Sequence, residues 1–392
     1  MKFLDCVIVN PKISLKKGKV YPFIEMANVS TSYREPLLIE YKSFDSGAKF
    51  QDGDTVIARI TPCLQNGKRF YCKNIGTGFG STEYLVFRPK NKLVNNLFLY
   101  YFMQTEFIKL QMINSMVGAT GRQRVNNNVF NDIELNLPDI KIQKNIGKTL
   151  SAYDDLIENN QKQIKLLEEA AQRLYKEWFV DLRFPGYENT PIIDGVPEGW
   201  NINRADFFYD ISIGKTPSRN DKQCFVKQNI GVPWVSISDM GNINSYVLNT
   251  AENLTREAVK KYNVKVVPPG TILLSFKLTV GRVAITSTEM CTNEAIAHFY
   301  INYDYQRTYT YFYLKNFKYN ILGNTSAISK AVNSQIIKAM PVIMPKQEVI
   351  KEFSGYVTPI LEQIKNKQIL CLKLTEARDR LLTKLMSGEI EV

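Results

Sequence analysis

Hydrophobic residues change their spacing along this chain, from short alternating runs to long stripes. Segments such as GDTVIARITP (53–62) and GTILLSFKLTVGRVAI (270–285) alternate apolar residues and contain glycine, a pattern that predicts short β-strands. The run NNLFLYYFMQTEFIKLQM (95–112) has helical spacing instead. This mixture predicts an α+β fold for two globular regions, at 1–140 and 185–345.

Each globular region is followed by an apolar stripe whose members alternate by four and three residues, which is typical of a long helix packed on another helix. The first stripe contains Ile146, Leu150, Tyr153, Ile157, Asn160, Ile164, Leu167, Ala171, Leu174 and Trp178. The second contains Phe353, Val357, Ile360, Ile364, Lys367, Cys371, Leu374, Arg378, Leu381 and Leu385. Neither helix is stable alone with such a stripe exposed, so we predict that they bury each other in an antiparallel coiled coil.

The chain also contains an internal repeat, which predicts a duplicated architecture with approximate twofold symmetry. One set of segments matches at an offset of 207 residues (331 minus 124), namely 124–138 with 331–345 and 172–178 with 379–385. Upstream segments match at an offset of 211 (292 minus 81), namely 81–87 with 292–298 and 22–26 with 233–237. The change of offset indicates insertions in the loops between the two copies.

Two polar residues interrupt the stripes at positions that the repeat makes equivalent. Asn160 and Lys367 each lie near the middle of its helix, and an antiparallel pair brings the two middles together. A polar residue in such a seam disfavours slipped registers, because a slip buries it against apolar side chains. We predict that Asn160 and Lys367 mark the helix register. The alternative is that both lie at the solvated edge of the bundle.

The sequence argues against several classes of enzyme. His298 is its only histidine, which excludes HExxH zinc sites and histidine-based triads, and the GxxxxGK[ST] phosphate loop is absent. The glycines of IGTGFGS (75–81) lack the dinucleotide-binding pattern and predict a tight β-turn. We therefore predict a binding protein with no catalytic residue and no metal site.

The six scattered cysteines form no CxxC pair and predict reduced thiols, and no apolar run of about eighteen residues appears. A cytoplasmic protein is the expectation. Its 50 Lys and Arg residues against 38 Asp and Glu residues make an anionic partner plausible.

DNA is the ligand that best suits a basic, duplicated protein, because a duplex presents equivalent surfaces one or more helical turns apart. Lys and Arg in loops contact phosphates, and Arg, Gln and Asn can read base edges. The candidates in the first region, most of them in the loop GATGRQRVNN, are Arg59, Lys68, Arg69, Arg122, Gln123, Arg124 and Asn126. The candidates in the second region are Lys215, Arg219, Lys277, Arg282, Lys330 and Asn333. The alternative is that these are ordinary solvated surface residues.

The order of motifs in the second half carries a family resemblance. The runs ISIGKTPSRND (211–221) and VPWVSISDM (232–240), followed by VVPPGTILLSF, VGRVAI and CTNEAI, resemble a target recognition domain of type I restriction-modification specificity subunits. VPEGW (196–200) looks like the usual opening of such a domain, and LPDIKIQKNI (137–146) is similar to the start of the family's helical region. The first half lacks counterparts of VPEGW and GKTPS.

This resemblance implies recognition domains at 1–140 and 185–345, with helical regions at 141–184 and 346–392. It implies a non-catalytic subunit in which each domain reads one half of a split DNA target and the helices fix the spacer. Two modification subunits that use S-adenosylmethionine would grip the helices, and restriction subunits that use ATP and Mg would join them. Candidate contacts for the modification subunits are Glu158, Gln161, Lys165, Glu168, Gln172 and Glu177.

Two other classes of protein remain open from the sequence alone. One is an enzyme with an unrecognised nuclease or methyltransferase site. The other is a coiled-coil adaptor whose globular ends bind proteins and not DNA.

Overall fold

The computed structural model describes residues 1–90, 92–227, 230–241, 244–322 and 333–392. The chain divides into two compact units. Unit 1 contains Met1–Gln161 and Leu370–Val392, and unit 2 contains Lys162–Ile369. Each unit therefore combines one globular region with a part of each long helix.

Unit 1 is built on two sheets. Its strands are β1 (Val7–Val9), β2 (Val20–Ile24), β3 (Glu40–Ser43), β4 (Ala48–Phe50), β5 (Thr55–Ala58), β6 (Arg69–Tyr71), β7 (Gly78–Gly80) and β8 (Tyr84–Pro89). One sheet has the order β1-β8-β5-β6 and the other β3-β2-β7-β4. The helices that begin in this unit are α1 (Phe3–Cys6), α2 (Asn96–Phe102), α3 (Glu106–Asn114), α4 (Val129–Asp132) and the long α5 (Ile140–Tyr175).

Unit 2 has two larger sheets, β12-β20-β17-β18-β15 and β13-β16-β14-β19, and the pairs β9-β10 and β11-β21. The strands are β9 (Ile192–Ile193), β10 (Val196–Pro197), β11 (Asn201–Arg204), β12 (Asp210–Ile213), β13 (Phe225–Val226), β14 (Val232–Val235), β15 (Tyr246–Val247), β16 (Glu252–Leu254), β17 (Ile272–Ser275), β18 (Val283–Thr286), β19 (Cys291–Thr292), β20 (Ile296–Tyr300) and β21 (Pro341–Met344). The helices are α6 (Ala205–Phe208), α7 (Arg256–Lys261), α8 (Asp304–Asn316), α9 (Ser334–Ala339) and the long α10 (Gln347–Ser387), and a π-helical turn (Lys176–Val180) follows α5.

The two units repeat the same strand pairings, which confirms the predicted duplication. In unit 1, β8 lies between β1 and β5, and in unit 2, β20 lies between β12 and β17. Likewise β2 pairs in parallel with β7, and β14 pairs in parallel with β19. The matched strands β2 with β14 and β8 with β20 are those that the offset of 211 residues aligns in the sequence.

The glycine-rich segment IGTGFGS does not form the predicted tight turn at its centre, because Gly78–Gly80 is the strand β7 between β2 and β4. A Cβ atom on Gly78 would lie 2.7 Å from the Pro22 carbonyl oxygen, and one on Gly80 would lie 2.5 Å from the Ile24 carbonyl oxygen. The glycines are therefore required for close approach of neighbouring backbones. Only Gly76, with φ of 76°, has a turn conformation in this segment.

In unit 1 the first half of α5 packs against the last part of α10. Ile146 and Leu150 share a hydrophobic core with Leu385, and farther along α5 the Cys371 thiol lies 3.8 Å from the Ile157 carbonyl oxygen. Later residues of α5 thus meet earlier residues of α10, so the helices run antiparallel there, as predicted. Every residue of both predicted stripes is buried or half-buried.

In unit 2 the end of the α5 region packs against the beginning of α10 through aromatic rings. The ring centroids of Tyr175 and Phe353 are 6.2 Å apart, and those of Trp178 and Phe353 are 5.8 Å apart. Trp178 also contacts Tyr356 edge to face, at 6.0 Å. Such aromatic pairs bury large apolar areas and fix the position of one helix on the other.

The two predicted register residues differ in their surroundings. Asn160 is buried, and its side-chain amide donates a 2.8 Å hydrogen bond to the Leu156 carbonyl oxygen of its own helix. Lys367 is half-buried. Burial of Asn160 disagrees with a solvated edge position for that residue, and the register role of both residues stays a prediction.

None of the six cysteines, all of which lie in the described parts of the chain, forms a disulfide, and all except Cys63 are buried. Within the described parts of the chain, no helix is both long enough and apolar enough to cross a membrane.

His298 is a buried structural residue of β20. Its ring nitrogens are hydrogen-bonded to the Ser212 hydroxyl at 2.8 Å and the Thr292 hydroxyl at 2.7 Å. Burial, with a smaller contribution from the charge of Lys265, lowers the pKa of His298 to about 3. The folded unit therefore holds this ring neutral at physiological pH.

This depressed pKa predicts that unit 2 loses stability in mild acid. As the pH falls below 6.5, the ordinary pKa of histidine, the unfolded chain binds a proton at His298 and the folded unit does not. We expect a loss of about 2 kcal/mol at pH 5 relative to pH 7.5, measured by urea denaturation. In His298→Gln the stability at pH 7.5 should fall but its decrease toward pH 5 should be shallower. Equal pH dependence in both proteins would contradict the assignment.

Candidate nucleic-acid interface

The loop at 117–124 in unit 1 is closed at its base and exposed at its tip. Val117 and Arg124 donate N–H bonds to each other's carbonyl oxygens, both at 2.9 Å. Gly118 and Gly121 have φ of 121° and 82°, values that disfavour other residues. The loop therefore has a defined shape and presents Arg122, which is exposed, near its tip.

The backbone joins this loop to the segment that carries the candidate Arg59, and through Arg59 to Glu83. The Thr61 N–H donates to the Gln123 carbonyl oxygen at 2.9 Å, and the Val125 N–H donates to the Arg59 carbonyl oxygen at 2.9 Å. The Arg59 N–H in turn donates to the carbonyl oxygen of Glu83 at 2.8 Å. The predicted residue Arg59 is thus brought next to the loop that contains Gln123, and the Arg59 side chain donates to the Val125 carbonyl oxygen at 3.3 Å.

Arg124 forms an ion pair with Glu83 on this surface. Its Nε lies 2.9 Å from each carboxylate oxygen of Glu83, and its Nη2 lies 2.6 Å from Oε1. Both side chains are partly open to solvent. The candidate Arg124 is therefore paired with Glu83, an acidic residue that was not predicted from the sequence.

Three other candidates of unit 1 have local partners. Lys68 donates to the Met26 carbonyl oxygen at 2.7 Å, and Arg69 donates to the Gly67 carbonyl oxygen at 2.8 Å. Both are half-buried and brace neighbouring loops. The exposed Asn126 accepts a 3.1 Å bond from the Asn128 N–H. Contact of these residues with DNA stays a prediction.

In unit 2, Lys215 and Arg219 lie exposed on the loop after β12. The Arg219 guanidinium lies 4.0 Å from the Phe225 ring centroid and forms a 2.8 Å ion pair with Glu252. It also lies 4.8 Å from the ring centroid of Trp234. Stacking on aromatic faces restrains this long side chain, which is the condition for a specific contact.

Glu294 is hydrogen-bonded to this loop and interacts electrostatically with Lys277 in the turn between β17 and β18. Thr216 donates its hydroxyl to the Glu294 carboxylate. Burial acts to raise the pKa of Glu294, but this hydrogen bond and the positive charges of Lys277 and Arg219 lower it overall. Two predicted residues from separate loops, Lys277 and Arg219, therefore act on one carboxylate.

The remaining candidates of unit 2 either form hydrogen bonds with neighbouring protein groups or lie outside the described residues. Arg282 is half-buried and donates to the Ile237 carbonyl oxygen at 2.8 Å. Asn333 caps α9, where its side chain accepts a 3.0 Å bond from the Ile336 N–H. Lys330 lies outside the described residues. Their contact with DNA remains a prediction.

A buried ion-pair network in unit 1 was not predicted from the sequence. Arg34 is 1% exposed, and its Nε and Nη2 donate to the two carboxylate oxygens of Glu158 at 2.9 and 2.5 Å. The same guanidinium donates to the Ser151 hydroxyl at 2.7 Å and to Asp155 at 2.6 Å. Arg34 and Glu158 are 124 residues apart in sequence, so no local pattern links them.

The network corrects the prediction that Glu158 belongs to an outward helix face, because Glu158 is buried against its own globular region. Two other members of that face have similar partners within unit 2. Glu168 accepts a 2.8 Å bond from the Ser245 hydroxyl, and Gln172 donates to Asn316 at 2.5 Å. Gln161 is half-buried, and Lys165 and Glu177 remain exposed.

Comparison with known proteins identifies the family of this chain. The model of the type I restriction modification DNA specificity domain matches twice, at residues 8–169 and 197–371. The chain therefore belongs to this family and carries two copies of its domain, as a specificity subunit of a type I restriction-modification system. In the residues described above, the two copies correspond to the two globular regions with their attached helices.

Individual relatives agree with this assignment. The HindI specificity subunit of Haemophilus influenzae is 26% identical, over 86% of this chain and 86% of that protein. The MjaIX specificity subunit of Methanocaldococcus jannaschii is 26% identical, over 78% of this chain and 71% of that protein. A crystal structure of the S subunit from M. genitalium has a TM-score of 0.57 and 11% identity, with 98% of this chain and 95% of that chain covered. That likeness supports the fold alone.

Proposed function

We propose that each unit reads one half of a split duplex target, and that the paired helices act as a ruler that fixes the spacer between the halves. The main support is that two units with the same strand pairings each present exposed basic side chains on loops. In unit 1 these are Arg122 and Arg124, and in unit 2 Arg219 and Lys277. The proposal includes an approximate twofold axis that relates the two units.

The family resemblance extends the proposal to partner subunits. The chain would scaffold two modification subunits that use S-adenosylmethionine to methylate adenine, and restriction subunits that use ATP and Mg. The exposed helix residues Lys165 and Glu177 are the remaining candidates for those contacts. Catalysis and cofactor binding would take place in the partners, in the cytoplasm.

Methylome sequencing of cells that express the chain with its modification subunits tests the proposal directly. We expect methylated adenines within one split motif whose two parts are separated by a spacer of fixed length. Methylation at a continuous motif, or none, would contradict split recognition. A salt titration of duplex binding separates DNA recognition from the adaptor alternative, because binding through phosphates weakens steeply with added salt.

Recognition of the two halves should be separable by mutation. We expect the double variant Arg122→Ala and Arg124→Ala to weaken binding at one half-site by about 10-fold or more, because phosphate and base contacts are lost there. Competition with duplexes in which one or the other half is scrambled measures the effect. Lys17→Ala, which removes an exposed lysine paired with Asp45, is the matched control. An equal loss at both halves would contradict the two-reader account.

A further inference from the structure

Glu83 and Glu294 occupy equivalent positions in the two copies, since 294 minus 83 is the offset of 211 residues. Each comes just before a central strand of the first sheet of its unit, β8 or β20. Each also receives hydrogen bonds from a candidate DNA-reading loop, from Arg124 in unit 1 and from Thr216 in unit 2. The repeat has therefore placed a carboxylate among basic residues twice.

A carboxylate in such a place is unsuited to the DNA backbone. It repels phosphate, and its electrostatic interaction with the nearby cations reduces their attraction for phosphate. The floor of the major groove is different, because it presents the hydrogen-bonding edges of the bases. The position of Glu83 and Glu294 thus indicates the part of each unit that faces bases.

The ion pair in unit 1 does not occupy a second edge of the Arg124 guanidinium. Glu83 accepts from Nε and from Nη2 of Arg124, which occupies one side of the guanidinium. The opposite edge, formed by Nη1 and the second hydrogen of Nη2, keeps donors in the fork that matches O6 and N7 of guanine. Its one described partner is a long contact of 3.4 Å from Nη1 to the Arg122 carbonyl oxygen.

We propose that Glu83 is a positioning residue that holds Arg124 to read a guanine in one half-site. This inference rests on the proposed function. The carboxylate reduces the number of rotamers that Arg124 samples before binding, so less conformational entropy is lost when the guanine contact forms. The anchoring is rigid because the carbonyl oxygen of Glu83 is itself bonded to the Arg59 N–H at 2.8 Å.

The guanine contact is specific to unit 1. At the repeat offset of 207, the residue that matches Arg124 is Ala331, which has no cationic side chain. Glu294 instead has the Thr216 hydroxyl as its partner, with Lys277 and Arg219 farther away as charges. Loss of the Glu83–Arg124 pair should therefore affect one base position in one half-site only.

The test selects duplexes from a randomised library with the full-length chain and its modification subunits. Wild-type protein should enrich a split motif with a guanine at one position of one half. Arg124→Lys, which keeps the charge but loses the fork, and Glu83→Gln should each reduce preference for that guanine by about tenfold. The double variant should be little worse than Arg124→Lys. Glu106→Gln, which alters the exposed pair with Lys109, should leave the motif unchanged.

The outcomes separate this inference from the proposed function. If Glu83→Gln enriches the same motif as wild type, the positioning role is overturned, and if Arg124→Lys also does so, the guanine contact is overturned as well; split recognition stays intact in both cases. A uniform loss of affinity across both halves would also overturn the positioning role, because that result indicates nonspecific charge. If wild-type protein enriches no motif, both ideas fail. Melting temperatures equal to wild type would confirm that neither substitution acts through unfolding.

Discussion

Replacing Arg34 by alanine is expected to lower the free energy of unfolding of unit 1 by about 3–5 kcal/mol. The side chains of Arg34 and Glu158 are 1% and 7% exposed, so solvent screens their interaction little. Burial acts to raise the pKa of Glu158, and the Arg34 guanidinium acts to lower it. Without Arg34 the carboxylate must remain buried without its cation or take up a proton, and either change costs stability. Urea denaturation, followed through the transition of unit 1, measures the loss.

Two further variants give this prediction its controls. Lys17→Ala removes an exposed lysine paired with Asp45 and should leave stability unchanged. In the double variant Arg34→Met and Glu158→Leu, apolar side chains replace both partners, and most of the lost stability should return. If Arg34→Ala is as stable as wild type, the network has no structural role. If the double variant is no more stable than Arg34→Ala, the loss of stability comes from packing and not from an unpaired charge.

A second buried pair in unit 1 supports the same interpretation. Arg378 on α10 donates to Asp154 on α5 at 2.5 Å, and Asp154 also accepts a 2.5 Å bond from the Tyr101 hydroxyl of α2. Arg378 further donates to the carbonyl oxygen of Ser32 at 3.2 Å. Together with Arg34, these bonds fix the globular region of unit 1 on its own portion of the helices. Such anchoring is what the proposed ruler requires, because a reader that moves on its helix cannot measure a spacer.

Inserting one heptad into each long helix is expected to shift recognition to a longer spacer. Seven residues lengthen a helix by about 10 Å, which corresponds to roughly three base pairs by length. A complete heptad preserves the buried stripe, so the helices should still pair. Three base pairs also rotate the second half-site by about 100° around the duplex, so we expect a lower extent of modification as well. Methylome sequencing reports both the spacer and the extent.

The matched control inserts the heptad into only one helix. That change displaces one stripe against the other beyond the insertion, and it should reduce stability without yielding a new defined spacer. An unchanged spacer in the double insertion, with stability retained, would contradict the ruler. The prediction that Asn160 and Lys367 mark the helix register can be tested in the same series with Asn160→Leu, which should permit slipped pairings if Asn160 has that role.

The candidate DNA-binding loop of unit 1 could be predicted from the sequence, but the hydrogen-bond partners of its side chains could not. The loop with Gly118, Arg122 and Arg124 was predictable because glycine and basic residues cluster within a few positions. Glu83 was not predicted, although the repeat aligned it with Glu294, because a carboxylate does not suggest DNA binding until its neighbours are known. Lys68 donates to the Met26 carbonyl oxygen, a partner that only folding brings near, and its contact with DNA stays a prediction.

The duplication could be predicted from the repeated segments, and the two helical stripes from their apolar spacing, because periodic burial of apolar residues leaves a direct record in residue spacing. Antiparallel pairing was predicted because each stripe needs a partner to bury it. The sequence could not determine that Gly78–Gly80 is a central strand or that Glu158 faces inward toward Arg34. Those features depend on contacts between segments far apart in sequence, where a charged residue on a helix has the same local pattern whether it faces water or a buried guanidinium. The folded chain distinguishes these environments, since folding specifies which side chains share the space from which water is excluded.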